Sequence, residues 1–271
     1  MACVYGMFFS ATGTTKKTVR AIGEALAGEL QRSYREYDFT LVPAREGYPA
    51  FEEDDITVFG TPVIAGRVPN VLLPYLKHIK GAGAAVPVVL YGNRDYDDAL
   101  IELRDILEAD GFHTITAAAF IGEHSFSAEL AAGRPDSGDI QMARSFGKQT
   151  AGRYQKGFGR DMEMVPVKGQ IPYRYYYQPK DRYGNGIDIR KVKPKIRNTC
   201  DGCGICAEVC PMGSIPKENV REYTGICIKC GACIKKCPKG ARYYEDAGYL
   251  YHKSELEAMY TERKEPEFFG V

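Results

Sequence analysis

The sequence predicts an α/β fold, a doubly wound parallel sheet of five strands, joined to a small cysteine-rich α+β unit. Three observations predict it. Short apolar runs recur at residues 2–9, 37–42, 56–60, 86–91 and 114–121, the near-continuous apolar pattern of parallel strands covered on both faces. Helical segments alternate with them, which argues for repeated βα units. Eight of the nine cysteines fall within residues 200–237, so a second unit with different chemistry follows the sheet.

Residues 2–9 form the first strand, with Cys3 as a small buried core residue. Ser10, Ala11, Thr12, Gly13, Thr14 and Thr15 follow, and then Val19, Ile22, Leu26 and Leu30 mark one face of a helix. A hydroxyl-rich loop between a strand and a helix N-terminus suits a phosphate. Backbone N–H groups point outward there and the helix dipole favours an anion. Neither a Walker loop nor a G-x-G-x-x-G pattern can be drawn. The third strand ends in Thr61, Pro62, Val63, Ile64, Ala65 and Gly66, and the fourth in Gly92, Asn93, Arg94, Asp95, Tyr96 and Asp97. A helix carrying Leu100, Leu103 and Leu107 stops at Gly111. The fifth strand leads into Glu123, His124 and Ser125, and a last helix covers about 138–154. In open sheets of this kind ligands bind beyond the carboxyl ends of the strands, where these loops lie. His124 reads either as a proton donor near neutral pH or as a loop histidine bonding a backbone carbonyl. His78, His113 and His252 have no metal-spaced partners.

The chain has 271 residues and a net charge of +1, enough length for two domains and no bulk attraction to nucleic acid or membrane. No apolar run approaches a membrane span, and the first residues lack the pattern of a signal peptide. A cytoplasmic protein is expected, in which clustered cysteines point to metal rather than disulfides. Charge is unevenly divided: residues 1–150 carry −6, residues 151–190 +4, residues 191–245 +6 and residues 246–271 −3.

The domains are expected at 1–155, for the nucleotide-type sheet, and 191–245, for the cysteine unit. Residues 156–190, rich in Gly, Pro and Tyr and including Tyr173, Tyr175, Tyr176 and Tyr177, read as an ordered linker lying on a neighbouring domain. Residues 246–271 read as a tail with a short helix.

Cys200, Cys203, Cys206 and Cys210 stand as C-x2-C-x2-C-x3-C before Pro211, and Cys227, Cys230, Cys233 and Cys237 repeat the spacing before Pro238, 27 residues on. Thiolates are soft ligands, and this run with its proline is the bacterial 4Fe–4S pattern. Structural zinc pairs C-x2-C with a distant second pair, which fits the doubled three-plus-one pattern poorly.

The first 155 residues resemble a flavodoxin domain, in which Ser10 to Thr15 match the FMN phosphate loop. The resemblance implies the strand order 2-1-3-4-5. Thr61, Pro62, Val63 and Ile64, with Gly92, Asn93, Arg94, Tyr96 and Asp97, match the segments flanking the flavin ring. The second of these loops departs from the usual aromatic-acidic one, and the chain has no tryptophan, so Tyr96 is the stacking candidate. The cysteine unit resembles a two-cluster bacterial ferredoxin, whose fourth cysteines cross over. That resemblance implies one cluster on Cys200, Cys203, Cys206 and Cys237 and another on Cys227, Cys230, Cys233 and Cys210. Together the halves resemble fusions of a flavodoxin fold with a ferredoxin found in anaerobes.

The expected cofactors are FMN and two 4Fe–4S clusters. The expected role is electron transfer from or to unidentified redox partner proteins. A flavin-dependent reductase of a small substrate, with the ferredoxin as built-in donor, is the alternative enzyme reading; an iron–sulfur sensor is a third. No nucleophile–base pair or nicotinamide site is apparent. The opposed charges of the two parts predict that they dock on each other, within one chain or across a homodimer.

Overall fold

The computed structural model describes residues 2–157 and 163–271. Its N-terminal strands are β1 (Cys3–Phe8), β2 (Ser33–Asp38), β3 (Ile56–Pro62), β4 (Ala84–Tyr91), the short β5 (His113–Thr114) and β6 (Ala117–Ile121). They form one parallel sheet in the order β2-β1-β3-β4-β6, with β5 beside β4. The expected order 2-1-3-4-5 is the order found. Helices α1 (Thr14–Leu30), α2 (Leu73–Leu76), α3 (Ala99–Ala109) and α4 (Ser137–Gln155) cover the two faces.

Strand alternation divides the core between those faces. Val4, Phe8, Val58, Val88 and Phe120 pack with Val19, Ile22 and Leu26 of α1 and Phe146 of α4. Met7, Phe9, Phe59 and Val89 pack with Leu72, Leu76, Leu100, Leu103 and Leu107 on the other side. Burial of each such side chain contributes roughly 1.5–3 kcal/mol, so the sheet is a rigid floor for its loops. The capping box of Asp136 and Asp139 starts α4.

Two strands differ from expectation. The second runs over Ser33–Asp38, not 37–42. It is an edge strand that pairs only with β1, so it is largely exposed and lacks the apolar run that marks its neighbours. The apolar residues after it turn away: Phe39 enters the core while Leu41 and Val42 are exposed. The fifth strand is broken at Ile115 and Thr116. Thr116 Oγ1 bonds Thr150 Oγ1 of α4 at 2.9 Å.

The cysteine unit has one small antiparallel pair, β7 (Lys195–Ile196) with β8 (Arg242–Tyr243), and two one-turn helices, α5 (Ile205–Glu208) and α6 (Ala232–Lys235). Helix α7 (Ala247–Met259) follows, N-capped by Asp246. The chain then returns to the first domain. Strand β9 (Glu267–Phe269) adds antiparallel to β6, and Phe268 packs on Phe120 and Phe146, 5.5 and 5.0 Å between ring centres.

Part of the expected linker, residues 158–162, lies outside the described residues. Beyond it, the Tyr173 hydroxyl donates to Asp105 at 2.6 Å, the Tyr176 hydroxyl to the Val68 carbonyl at 2.9 Å, and the Tyr177 N–H to the Ala65 carbonyl at 2.8 Å. No helix among the described residues is long and apolar enough to cross a membrane.

Candidate functional site

The parallel sheet brings the three expected loops to one edge, the carboxyl ends of β1, β3 and β4. Gly13 is the N-cap of α1 at φ 98°, a left-handed conformation that favours glycine, and it has no side chain of its own to cap the helix. Its first turn holds no acidic residue. Of the first N–H groups, Ser10 takes that of Lys16, and those of Thr14 and Thr15 can serve an anion. Ser10 Oγ accepts the Lys16 N–H at 3.0 Å, and the Ser10 N–H donates to Thr40 Oγ1 at 2.8 Å. These bonds fix the loop that runs through Ala11, Thr12 and Thr14; Thr15 is buried against the helix start.

At the end of β3, Thr61 Oγ1 is buried with no hydrogen-bond partner. Pro62 and Val63 lead from it, and the Val63 N–H donates to the Leu90 carbonyl at 2.8 Å. Ile64 pairs with Arg67 across a tight turn. A glycine-started helix suits the phosphate of a ligand such as FMN, and the orphaned Thr61 hydroxyl adds a polar group at the end of β3. The residues at the ring loops fit it less directly. Gly92 packs against the His124 ring. Asn93, at φ 65°, turns its amide to the tail and donates to the Tyr260 and Glu262 carbonyls, both at 2.8 Å. Arg94 pairs with Asp97 and lies 4.5 Å from the centre of the Tyr177 ring. Tyr96, expected to cover a flavin ring, is 4 % exposed and its hydroxyl donates to Glu267 of β9 at 3.0 Å. Tyr96 therefore serves the core and the tail, because the C-terminal strand occupies the edge beside it.

The cysteine unit sits against the same carboxyl edge. Arg45 spans the junction: it donates to the Phe39 carbonyl at 2.9 Å, to the Thr40 carbonyl at 2.5 Å and to the Pro211 carbonyl at 2.6 Å. Lys235 pairs with Glu123 and donates to the carbonyls of His124 and Ser127 at 2.8 and 2.9 Å. Although burial opposes it, Lys235 and the Gly133 N–H hold the Glu123 carboxyl below its usual range.

Cys210, Cys227, Cys230 and Cys233 line one cavity with Ile215, Tyr223 and Tyr244. Cys210 thus joins the second run, as a crossed-over fourth ligand does. On the far side, Arg242 donates to Cys206 Sγ at 3.1 Å, Arg197 to the Gly240 carbonyl at 2.8 Å, and Lys239 lies 3.9 Å from Asp201. These contacts bring the run of Cys200, Cys203 and Cys206 beside Cys237. The Ser214 N–H donates to Cys210 Sγ at 3.4 Å and the Ala241 N–H to Cys237 Sγ at 3.3 Å. Such donors stabilise thiolate sulfur. Although burial opposes it, N–H groups of Ala241, Lys239 and Arg242 draw the Cys237 thiol below its ordinary value. Burial pushes the Cys230 and Cys233 thiols up, to about 11 and about 12, so iron must displace their protons as it binds. Among the described residues no three His, Cys, Asp or Glu side chains gather as around a single metal ion.

The two runs differ in exposure. Lys229, Gly231 and Ala232 are buried, whereas Asp201, Gly202 and Cys203 are exposed. From the buried cavity a chain of rings leads to the sheet. Tyr244 stacks on Tyr249 at 3.9 Å, Tyr249 packs on Phe126 at 4.7 Å, and Phe126 on His124 at 5.1 Å between centres. His124 in turn touches Gly92.

Sequence reasoning missed Arg45, Lys235, Arg242 and the ring chain. Arg242 and Lys235 left a signal, as breaks in the 27-residue repeat: their counterparts are Ile215 and Glu208.

Residues 199–242 match the family of 4Fe-4S dicluster domains. A search of curated proteins finds no match to the chain. Among solved structures, a flavodoxin from the domain Archaea aligns at 12 % identity and a TM-score of 0.42, covering 56 % of this chain and 99 % of its own. The flavodoxin of Streptococcus pneumonia TIGR4 aligns at 17 % and 0.40, with the same coverage. Flavodoxin 2 from Bacillus cereus aligns at 16 % and 0.37, again covering 56 % and 99 %.

Proposed function

We propose that the protein is an electron-transfer unit in which FMN at the carboxyl edge of the sheet exchanges single electrons with two 4Fe–4S clusters. A flavin takes one or two electrons and a cube takes one, so the pair converts between two-electron and one-electron chemistry; the protein supplies distance, burial and access. FMN would be held by the backbone N–H groups and hydroxyls of residues 10–15, with Thr61 at the ring end. The cluster of Cys210, Cys227, Cys230 and Cys233 would face the flavin, and that of Cys200, Cys203, Cys206 and Cys237 would face solvent and a partner protein.

One observation carries this reading. The cavity lined by Cys210, Cys227, Cys230 and Cys233 is joined to the loop at Gly92 by continuous ring contacts through Tyr244, Tyr249, Phe126 and His124. Tunnelling falls steeply with distance, and packed contact keeps the two centres close and free of water. The exposed loop of Asp201, Gly202 and Cys203 supports the outward role of the other cluster.

Anaerobic reductive titration of the reconstituted protein, followed by EPR, tests it. The expected result is one flavin semiquinone and two cluster signals per chain. Protein that takes up iron and sulfide but no FMN defeats the flavin part of the proposal. Turnover of quinones or nitro compounds without a partner protein would favour a reductase.

A further inference from the structure

The two cysteine runs repeat in space as they do in sequence. Gly204 and Gly231 open α5 and α6 in the left-handed region, at φ 83° and 75°. Ser214 and Ala241 donate the matching N–H···S bonds to Cys210 and Cys237. One residue later the repeat breaks. Ile215, 4 % exposed, lines the cavity of Cys210, Cys227, Cys230 and Cys233. Its counterpart is Arg242, 3 % exposed.

The Arg242 guanidinium donates to Cys206 Sγ at 3.1 Å, to the Val220 carbonyl and to the Tyr223 hydroxyl, and lies 5.2 Å from the centre of the Tyr223 ring. Among the described residues no carboxylate pairs with it. A buried cation without a counter-anion is costly, and arginine stays protonated. The negative charge available to it is that of the thiolates and of whatever they hold. One ligand set thus has a fixed cation hydrogen-bonded to its sulfur, whereas the other meets the same guanidinium only through space, at Cys233, and has an isoleucine at the matching position.

A cation in a low-dielectric site stabilises the more negative state of its neighbour, and hydrogen bonds to ligand sulfur do the same. We propose that Arg242 is a positioning residue that separates the potentials of the two clusters. It raises that of the cluster on Cys200, Cys203, Cys206 and Cys237 above that of its twin. An electron entering from the flavin side then comes to rest on the open side, where a partner collects it. This inference rests on the two-cluster reading above.

The test is a potentiometric titration of the full chain with its clusters reconstituted, followed by EPR, for wild type, R242I, R242Q and R242K. Wild type should show two separated midpoints. R242I copies the residue of the first half and should lower the higher midpoint by at least tenfold in the one-electron equilibrium, 59 mV, and the lower one by less, because Cys233 meets the guanidinium without a hydrogen bond to its sulfur. R242Q, which retains donors without charge, should fall between, and R242K should keep most of the separation. Equal midpoints in wild type, or an R242I protein with both clusters intact and the separation unchanged, overturn the proposal. If R242I does not load, R242Q carries the test, and an unchanged separation there overturns it. A single cluster per chain in wild type would defeat the two-cluster reading; an unchanged midpoint of that cluster in R242I would then overturn the role of Arg242 as well.

Discussion

Gly231 lies directly against Ser125: a methyl group on Gly231 would stand 2.5 Å from the Ser125 carbonyl oxygen. Its counterpart Gly204 has nothing nearer than the Lys217 side chain at 3.9 Å. Both glycines have positive φ, so alanine costs about 1–2 kcal/mol of backbone strain at either position. Only at Gly231 must a backbone carbonyl also move. G204A should therefore lose about 1–2 kcal/mol and keep the two domains docked. G231A should in addition speed amide exchange over residues 123–127. Equal protection of that loop in the two variants would contradict the contact.

Lys235 holds the same junction electrostatically. Its ammonium serves Glu123 and two carbonyls, while the equivalent residue of the first half, Glu208, is exposed and pairs with Lys217. Removal in K235A leaves the half-buried Glu123 carboxylate with the Gly133 N–H but no cation, and the Ser127 carbonyl without its donor, a loss of about 1–3 kcal/mol. Urea denaturation measures it. The reverse pair K235E with E123K should recover part of the loss, and no recovery would indicate that the carbonyl bonds carry the junction.

Much of this was legible in the chain. Strands β1, β3 and β4 are buried on both faces, so their residues had to be apolar, and the strand order followed from the resemblance they supported. The cysteine spacing is local and could be read directly; the crossover of Cys210 came only from the resemblance, and Cys210 lines the cavity of the second run. The misses have a common cause. Strand β2 is held by one neighbour and needs no apolar pattern. Strand β9 is three residues long, and its pairing with β6 joins segments some 150 residues apart, which no periodicity records. Tyr96 was expected at a ligand because the tail that covers it could not be placed. Lys235 and Arg45 look like ordinary surface charges until the domains meet.

Asn93 gives the tail its anchor. Its left-handed backbone tolerates glycine, so N93G removes the two amide donors to the Tyr260 and Glu262 carbonyls without new strain. The expected loss is about 1–3 kcal/mol, with faster amide exchange at Phe268 and Phe269 of β9. An alanine variant should lose more, because it adds strain at φ 65°. Unchanged exchange in β9 would mean that its strand pairing, not Asn93, retains the tail.

His124 makes the junction sensitive to acid. Its Nδ1 accepts the Phe126 N–H at 3.1 Å, a bond that protonation of Nδ1 abolishes. Burial pushes its pKa down to about 4, helped by Lys235, His252 and Arg94, with Glu257 opposing. The folded value lies below the unfolded one near 6.5, so between them the unfolded chain binds more protons. Stability from this group is therefore complete above about 6.5 and is lost as pH falls toward 4. From pH 7.5 to 5.5 the loss is about 1 kcal/mol by that linkage. H124Q cannot titrate, so subtracting its denaturation curves from those of wild type isolates the term from the carboxylates. Wild type should lose about 1 kcal/mol more than H124Q over this interval. Equal losses would mean that His124 keeps an ordinary pKa and that the ring chain admits water at its sheet end.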